Sequence, residues 1–457
     1  MTGHVAFVAS VRPMGGSSRS LLSLLEHLPA GLERTMIGPG RGAMHREITE
    51  RGLGDREIVL DRNGIGVVLR AVAAARGLRH HRPVDAIHAN GTADLLLALP
   101  SALAARAPVV VWVHDEAVKR WARRLRRLIS ALPIEIRWVA VSPSSIAMLV
   151  DAGLATADDI ELIPNPIDPV SVAAQPAESA TGRRIAFLGN ATARKGFALL
   201  PRILEQLSDL DVRLAIHCRP SDDDAPAIAA AWADLEAHGQ NVEVVGRVPM
   251  PRDALSGADV VLVPSRSESF GRVVAEAQLN GIPVVASDLA PFRWLIDAGV
   301  DGVLFPVDRP LAAADGIRRA LSDEMRRSAA TSGPRSASRF RPESVAEQMV
   351  ALYRLRRDGR PAVTGTSPHT SSPSAPTRRR LVTSVCGSDP REMCTGPRCP
   401  FLGDASTLSH PARRVHRSRR SAHEVGADGG TDPRADPPTD LARLVEARRA
   451  EHIGPRR

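Results

Sequence analysis

The chain is poor in aromatic residues, in cysteine and in lysine. Only 3% of its 457 residues are aromatic, although 43% are hydrophobic. A core must therefore consist mainly of Ala, Val, Leu and Ile, a mixture that suits parallel sheets covered by helices. The four cysteines are too few for a disulfide framework, and no Cys-x-x-Cys pair of a zinc site is present. The sequence therefore argues against a small disulfide-rich domain and against a small zinc-binding domain.

Long apolar runs are also missing. The longest, Leu95 to Ala105, contains a proline and is shorter than the roughly 20 residues that a membrane-spanning helix needs. The first apolar segment of the chain is ended by Arg12 and Pro13 before it reaches the length of a signal peptide. We therefore expect a cytoplasmic protein.

The net charge of +9 is concentrated at the C-terminal end. Residues 359–457 contain 17 Arg and 10 acidic residues, so residues 1–358 carry a net charge of only +2. A nearly neutral front part argues against a core domain that binds nucleic acid. The tail is rich in Pro, Ser, Thr, Arg and Gly and has little apolar periodicity, so we predict that residues 359–457 are disordered.

The chain before the tail alternates between strand-like and helix-like patterns. It opens with an apolar strand at His4–Val11, a Gly15-Gly16 turn and a helical pattern at Ser17–Leu28, which together are typical of a Rossmann-like unit. Turn residues dominate Ile163–Asp168, and the alternation begins again at Arg184–Gly189. This segment is therefore interpreted as a hinge between two domains.

The predicted fold class is α/β, with two Rossmann-like domains that face a ligand-binding cleft. The predicted boundaries are residues 1–165 and 166–340, followed by a helix at 341–358 that packs back towards the N-terminal domain. Further strands are predicted at Ala86–Ala89, Val109–Val113, Trp138–Val141, Arg213–His217, Val242–Val245, Val260–Pro264 and Pro283–Ser287, and helices at Ala198–Leu207 and Phe270–Asn280.

The strongest chemical motif is Pro264-Ser-Arg-Ser-Glu-Ser-Phe-Gly-Arg-Val-Val-Ala-Glu-Ala277. Glu268 lies on the loop after a predicted strand, and Glu276 lies on the next predicted helix. Free N–H groups at the start of that helix would bind a diphosphate, and the Glu276 carboxylate could accept hydrogen bonds from a ribose. The alternative is an ordinary helix cap formed by Ser267 or Ser269.

This segment resembles the E-x(7)-E motif of retaining glycosyltransferases of the large group 1 family (glycosyltransferase family four). The resemblance covers roughly residues 4–357. It implies the two-domain GT-B fold and transfer of a sugar from a nucleoside-diphosphate donor to an acceptor hydroxyl, with retention at the anomeric carbon. It implies no cofactor and no metal ion, and an acceptor that is a glycan or is linked to lipid.

A second stretch, Gly189-Asn-Ala-Thr-Ala-Arg-Lys-Gly196, resembles the loop that grips phosphate in this family. Lys195 matches the family pattern, whereas Asn190 occupies the position at which the family usually has Arg. Lys119 and Lys195 are the two lysines of the whole chain, which uses arginine almost everywhere else. The lysine beside Gly196 therefore favours a functional role in binding phosphate. The alternative is that Arg194 and Lys195 are two solvated charges on a surface loop.

In the first half, Gly15-Gly16 resembles the glycine loop of the family, and a simple tight turn is the alternative. His114 in Val111-Trp-Val-His-Asp115 resembles the strand-end histidine that contacts the transferred sugar, and a structural histidine is the alternative. His88, also at a strand end, is a weaker candidate.

The candidate site therefore has a catalytic and a donor-binding set. The catalytic residues are His114 and Glu268. The donor-binding residues are Gly16, Arg194, Lys195, Ser269, Phe270, Gly271, Arg272 and Glu276.

The segment Val118–Leu132 predicts a basic amphipathic helix. It combines an apolar stripe with six basic residues, a pattern found where helices lie on anionic membranes. Peripheral contact with the inner membrane face is one interpretation, and a helix packed on its own sheet is the other.

Two other classes of function remain open from the sequence. The same fold serves sugar-nucleotide epimerases and phosphorylases. A phosphorylase would need a lysine that binds pyridoxal phosphate, and neither Lys119 nor Lys195 lies in a context that suggests a buried Schiff base. Alternatively, a non-catalytic protein could bind anionic lipid or nucleic acid through the basic tail. The donor base, the sugar and the acceptor are left undetermined.

Overall fold

The computed structural model describes residues 3–8, 14–38, 42–59, 69, 83–118, 129, 131–168, 183–218, 226–246 and 254–354. All of them belong to one compact unit, residues 1–367. The C-terminal tail and most of the basic segment Val118–Leu132 lie outside the described residues. No helix in the described part of the chain is long and apolar enough to cross a membrane.

A seven-stranded parallel sheet forms the first domain, in the order β3-β2-β1-β4-β5-β6-β7. The chain moves outward from β1 to β3 and then returns to β4, so the strand order reverses between β1 and β4. The strands are β1 (Gly3–Val8), β2 (Leu32–Gly38), β3 (Arg56–Val59), β4 (Ala86–Ala89), β5 (Val109–Val113), β6 (Ile136–Ala140) and β7 (Ile160–Leu162).

Helices cover both faces of this sheet. They are α1 (Gly16–His27), α2 (Ala43–Glu50), α3 (Leu95–Ala105) and α4 (Pro143–Asp151). Helix α1 buries Leu21, Leu24 and Leu25, which recur at the three- to four-residue spacing of one helix face. Helix α4 begins after Ser142, whose hydroxyl accepts a hydrogen bond from the Ser145 amide and so caps the helix.

A six-stranded parallel sheet forms the second domain, in the order β10-β9-β8-β11-β12-β13. Its strands are β8 (Arg183–Leu188), β9 (Val212–His217), β10 (Val242–Val244), β11 (Val260–Val263), β12 (Val284–Ser287) and β13 (Gly302–Phe305). The order reverses between β8 and β11, the place at which open α/β sheets bind ligands.

The remaining helices follow in chain order. They are α5 (Leu200–Glu205), α6 (Pro226–Ala237), α7 (Arg272–Leu279), α8 (Ala290–Leu295), α9 (Pro310–Ala320), α10 (Asp323–Ala337) and α11 (Pro342–Arg354). Helix α11 follows the second domain in sequence but packs against α1 of the first. There the Tyr353 hydroxyl lies 2.8 Å from His88 Nδ1, and Arg137 donates to the Leu352 carbonyl oxygen.

The central strands are buried on both faces, which explains why they appear in the sequence as continuous apolar runs. Every residue of β5 and β11 is buried. One hydrophobic cluster continues through both domains, with Phe7 and Leu24 from the first and Phe270 and Val274 from the second. The predicted fold of two α/β domains with parallel sheets is confirmed.

Several predicted elements agree closely with the structure. The strands at Ala86–Ala89 and Val109–Val113 are found with the predicted bounds. The helix predicted from Phe270 begins later, at Arg272. The edge strand β3 was not predicted because charged residues interrupt it, and its side chains are largely exposed.

Candidate active site

A cavity of about 440 Å³ lies between the two domains, at the carboxyl ends of their strands. Its lining includes the start of α1 and the residues after β5 on one side. On the other side it includes the loop after β8, the end of β9 and the loop that joins β11 to α7. The structure places all ten candidate residues in this lining: Gly16, His114, Arg194, Lys195, Glu268, Ser269, Phe270, Gly271, Arg272 and Glu276.

Glu268 is held by the basic loop that follows β8. Its carboxylate is paired with Lys195 Nζ and accepts a hydrogen bond from Ser265 Oγ at 3.1 Å. Arg194 Nη1 lies 3.8 Å from the other carboxylate oxygen. The two loops meet because β8 and β11 are neighbours in the sheet, and a backbone hydrogen bond from Arg266 to Arg194 joins them.

Gly196 allows this close approach of the two loops. Its φ is +68°, and a Cβ at this position would overlap the carbonyl oxygen of Pro264. Only glycine adopts this backbone conformation at low cost without a clash. The glycine after Lys195 therefore brings the lysine next to the Glu268 loop.

Glu276 lies in the second turn of α7, where it is buried. The helix begins at Arg272 after Gly271, whose φ is +102°. Arg272 Nη2 lies 3.4 Å from Glu276 Oε1, an i, i+4 pair. The N–H groups of Val274 and Ala275 donate to the Gly271 carbonyl oxygen. Those of Arg272 and Val273, two residues that line the cavity, are the ones that a helix start offers to an anion.

Arg272 extends to the first domain. Its Nη1 donates to Ser20 Oγ at 2.9 Å and to the Pro166 carbonyl oxygen at 2.7 Å. A Cβ on Gly16 would lie 3.4 Å from Arg272 Cδ, so the arginine side chain passes close to the glycine loop. The predicted donor-binding arginine thus also joins the two domains.

Ser269 and Phe270 line the cavity and are fixed by contacts with neighbouring elements. The Ser269 carbonyl oxygen accepts a hydrogen bond from Ser142 Oγ at 2.6 Å. The Phe270 ring is buried in the core, with its centroid 5.3 Å from that of Phe340 and 6.1 Å from that of Trp294. Its side chain therefore stabilises the fold beneath the site.

His114 directly follows β5 and lies at the carboxyl end of this strand in the first sheet. Its Nε2 is 3.0 Å from Asn90 Oδ1, and because that oxygen can only accept, Nε2 carries the proton. The ring packs on Trp112 with a centroid separation of 4.6 Å. Asn90 in turn donates to the Ser17 carbonyl oxygen, which connects His114 to the glycine loop.

Glu116 was not predicted from the sequence. Its carboxylate accepts a hydrogen bond from Arg194 Nη1 at 2.5 Å and another from Ser267 Oγ. It therefore joins the first domain to both loops of the second. The signal was its position three residues after the end of β5, at the edge of the sheet where ligands bind.

His88 serves the fold. It is fully buried and bonded to Tyr353, and it is absent from the cavity lining. Burial lowers its pKa to about 3. The weaker of the two histidine candidates is therefore a neutral core residue.

Two family models match the two domains in order. Residues 14–171 match the model described as Glycosyltransferase Family 4, and residues 182–323 match the model described as Glycosyl transferases group 1. The chain belongs to this glycosyltransferase family. The predicted family resemblance is thereby confirmed.

Curated relatives of this glycosyltransferase act on inositol compounds according to their names. A D-inositol 3-phosphate glycosyltransferase of Xylanimonas cellulosilytica is 37% identical over 187 residues, which are 39% of this chain and 43% of that protein. The chain thus spans less than half the length of that relative. A phosphatidyl-myo-inositol mannosyltransferase of Mycolicibacterium smegmatis is 29% identical over 364 residues, 74% of this chain and 90% of the relative.

The fold of the glycosyltransferase is found among solved GT-B structures. Anabaena HepE in complex with UDP-glucose superposes with a TM-score of 0.65 and 19% identity, over 76% of this chain and 98% of that one. At this identity the likeness concerns the fold. The comparisons favour neither an epimerase nor a non-catalytic binding protein.

One group of potential metal ligands occurs among the described residues of the glycosyltransferase. Glu26, His27 and Asp168 have ligand atoms within 4.8 Å of one another. None of the three lines the cavity. The cluster therefore has no direct part in the candidate site.

Proposed function

We propose that this glycosyltransferase is a retaining hexosyltransferase that moves a sugar from a nucleoside-diphosphate-sugar to an acceptor hydroxyl. The observation that carries the proposal is the grouping of Glu268 and Glu276 with Lys195 and Arg194 around the N-terminus of α7. A nucleotide sugar needs cations for its diphosphate and carboxylates for its hydroxyl groups, and this cavity offers both.

The basic groups would stabilise the leaving diphosphate. As the bond between the anomeric carbon and the diphosphate breaks, negative charge grows on the phosphate oxygens. Lys195, Arg194 and the first residues of α7 all line the cavity. Donors that meet a developing anion are worth about 3–4 kcal/mol each in other enzymes. We accordingly expect no metal ion in the transfer.

The two glutamates would have separate roles. Glu276 is buried and held by Arg272, so its carboxylate has a defined direction for the hydroxyls of a ribose. Glu268, between Lys195 and Ser265, would orient the transferred sugar. His114 would contact the sugar from the first domain.

The acceptor would enter from the side of the first domain. There the cavity is lined by Gly15, Ser17 and Arg19, which combine exposed backbone with one cation. The names of the relatives support an acceptor of the phosphorylated-polyol or glycolipid kind. Such an acceptor would place the enzyme in cell-surface glycan or glycolipid synthesis, in the cytoplasm and in peripheral contact with the inner membrane face.

Calorimetric titration of the full chain with UDP, GDP and ADP tests the donor site. We expect binding of one nucleotide at micromolar strength. Glu276→Ala should abolish this binding, whereas Glu347→Ala, at an exposed position of α11, should leave it unchanged. If folded wild-type protein binds none of the three, the proposed donor site is wrong.

A further inference from the structure

His217 lies at the carboxyl end of β9 and lines the cavity. In the sheet it pairs with Leu188, the last residue of β8. It is therefore adjacent to the loop that carries Lys195, one strand further from β11.

The imidazole of His217 is buried without a hydrogen-bond partner. Its residue exposure is 6%, and neither ring nitrogen has a partner in the structure, within the part of the chain that is described. A buried polar group without a partner destabilises the folded state, because it has given up its hydrogen bonds to water. A histidine retained for packing would be expected to satisfy at least one nitrogen, so a ligand in the cavity is the natural partner.

The charge state of His217 restricts the chemistry of that ligand. Burial, together with the positive charge of Arg184, lowers the pKa of the ring to about 4. The ring is therefore neutral at pH 7 and offers one N–H donor and one lone-pair acceptor. A phosphate is better matched by a cation, whereas a nucleobase edge or a sugar hydroxyl can use both functions of a neutral ring.

The position of His217 agrees with the expected direction of a nucleotide. In the sheet, the loop of Glu268 and α7 follows β11, the loop of Lys195 follows β8, and His217 ends β9. Neighbouring strands lie about 4.8 Å apart, so a diphosphate over the first two leaves the nucleoside to extend towards the third. Among the described residues, the uncharged Leu188 pairs with His217 in the sheet and the uncharged Cys218 follows it, and both line the cavity.

We infer that His217 recognises the nucleoside part of the donor, by donating to and accepting from polar atoms of the base or ribose. The inference rests on the proposed function, since it names how the same site chooses its nucleotide. The residue determines specificity and affinity for the donor and takes no part in bond cleavage.

The test compares nucleoside diphosphates with inorganic pyrophosphate, which has the phosphates but no nucleoside. Calorimetry of the full chain should show that His217→Ala weakens the preferred nucleotide 10- to 100-fold and leaves the pyrophosphate affinity unchanged. His217→Asn, which keeps a donor and an acceptor, should restore part of the loss. His238→Ala, a histidine at the end of α6 that is absent from the cavity lining, is the matched control.

The outcomes separate this inference from the proposed function. If the wild type binds a nucleotide and His217→Ala binds it equally well, His217 does not recognise the nucleoside. If His217→Ala loses affinity for pyrophosphate as strongly as for the nucleotide, the residue stabilises the fold or binds the phosphates, and the inference is also wrong. Absence of any nucleotide binding by the folded wild type would instead contradict the donor site as a whole.

Discussion

At the scale of single residues, the cavity pairs each of its inward-facing carboxylates with a cation. Lys195 meets Glu268, Arg194 meets Glu116, and Arg272 meets Glu276. An unpaired charge in a partly buried cavity is costly, whereas a pair with good geometry is tolerated. The site can therefore hold several charges ready for a polar substrate and keep them oriented.

Lys195→Ala tests the catalytic use of one such pair. The variant removes a cation from the proposed diphosphate site and leaves Glu268 without its closest partner. We expect kcat/KM to fall at least about 100-fold, which corresponds to about 2.7 kcal/mol of transition-state stabilisation. Steady-state kinetics with the donor identified by calorimetry is the measurement.

The control for this variant is Arg266→Ala. Arg266 belongs to the same pair of loops, but its side chain is exposed and faces Asp308. Its removal should change kcat/KM less than about threefold. Equal losses in the two variants would mean that general positive charge, and not Lys195, assists the reaction.

At the scale of elements, the tight loops after β8 and β11 bring the charged residues together. Both loops depend on a glycine with positive φ, Gly196 in one and Gly271 in the other. A Cβ on Gly271 would lie 2.5 Å from Phe292 Cε1. The backbone of the site is therefore fitted against its neighbours, which keeps the N-terminus of α7 and Lys195 in a fixed relation.

Gly196→Ala should disturb this relation. The left-handed conformation costs a non-glycine residue about 1–2 kcal/mol, and overlap with the Pro264 carbonyl adds to it. We expect a loss of more than about 2 kcal/mol in the free energy of unfolding, measured by urea denaturation, together with weaker nucleotide binding.

Gly239→Ala provides the matched comparison. Gly239 also has a positive φ, +56°, but nothing lies within 4 Å of a Cβ built there. Only the conformational cost applies, so the loss should stay near 1–2 kcal/mol with nucleotide binding intact. If both alanine variants lose the same free energy of unfolding and bind nucleotide equally well, the contact with Pro264 is unimportant.

At the scale of the whole molecule, two groups of contacts join the two domains. Glu116 and Arg272 connect them across the cavity. Behind it, α11 returns to the first domain, where Tyr353 reaches the buried His88. The relative position of the domains therefore depends on a few polar contacts in addition to the shared apolar cluster.

The buried His88 makes the stability of the folded protein sensitive to acid. Its pKa is lowered to about 3 by burial, whereas in the unfolded chain a histidine titrates near 6.5. As the pH falls below about 6.5 the unfolded chain binds a proton that the folded protein does not. Stability is therefore lost with decreasing pH, by up to about 1.4 kcal/mol per pH unit for this group.

His88→Gln should reduce this dependence. Glutamine does not titrate and can still form a hydrogen bond with the Tyr353 hydroxyl. Between pH 6 and pH 5 the free energy of unfolding of the variant should therefore fall by about 1 kcal/mol less than that of the wild type. Urea denaturation at both pH values measures this difference. His238→Gln should keep the wild-type slope, and an unchanged slope in His88→Gln would show that His88 is not the responsible group.

Much of the fold and of the candidate site could be predicted because the relevant signals are local. Apolar runs of strand length between helical patterns predict two parallel α/β domains, since strands buried on both faces must be apolar throughout. The motif around Glu268 and the loop ending in Gly196 are also contiguous, so their candidate residues could be chosen from the sequence, and all ten candidates line one cavity.

The tertiary structure alone decided which residues meet across the cleft. Glu116 contacts Arg194, Arg272 reaches Ser20, and the side chain of Phe270 enters the core. His217 became a candidate only through its burial and its unsatisfied ring nitrogens. Such relations join residues far apart in the chain, and they arise when the strands are ordered in the sheets and the domains pack together, which no local pattern encodes.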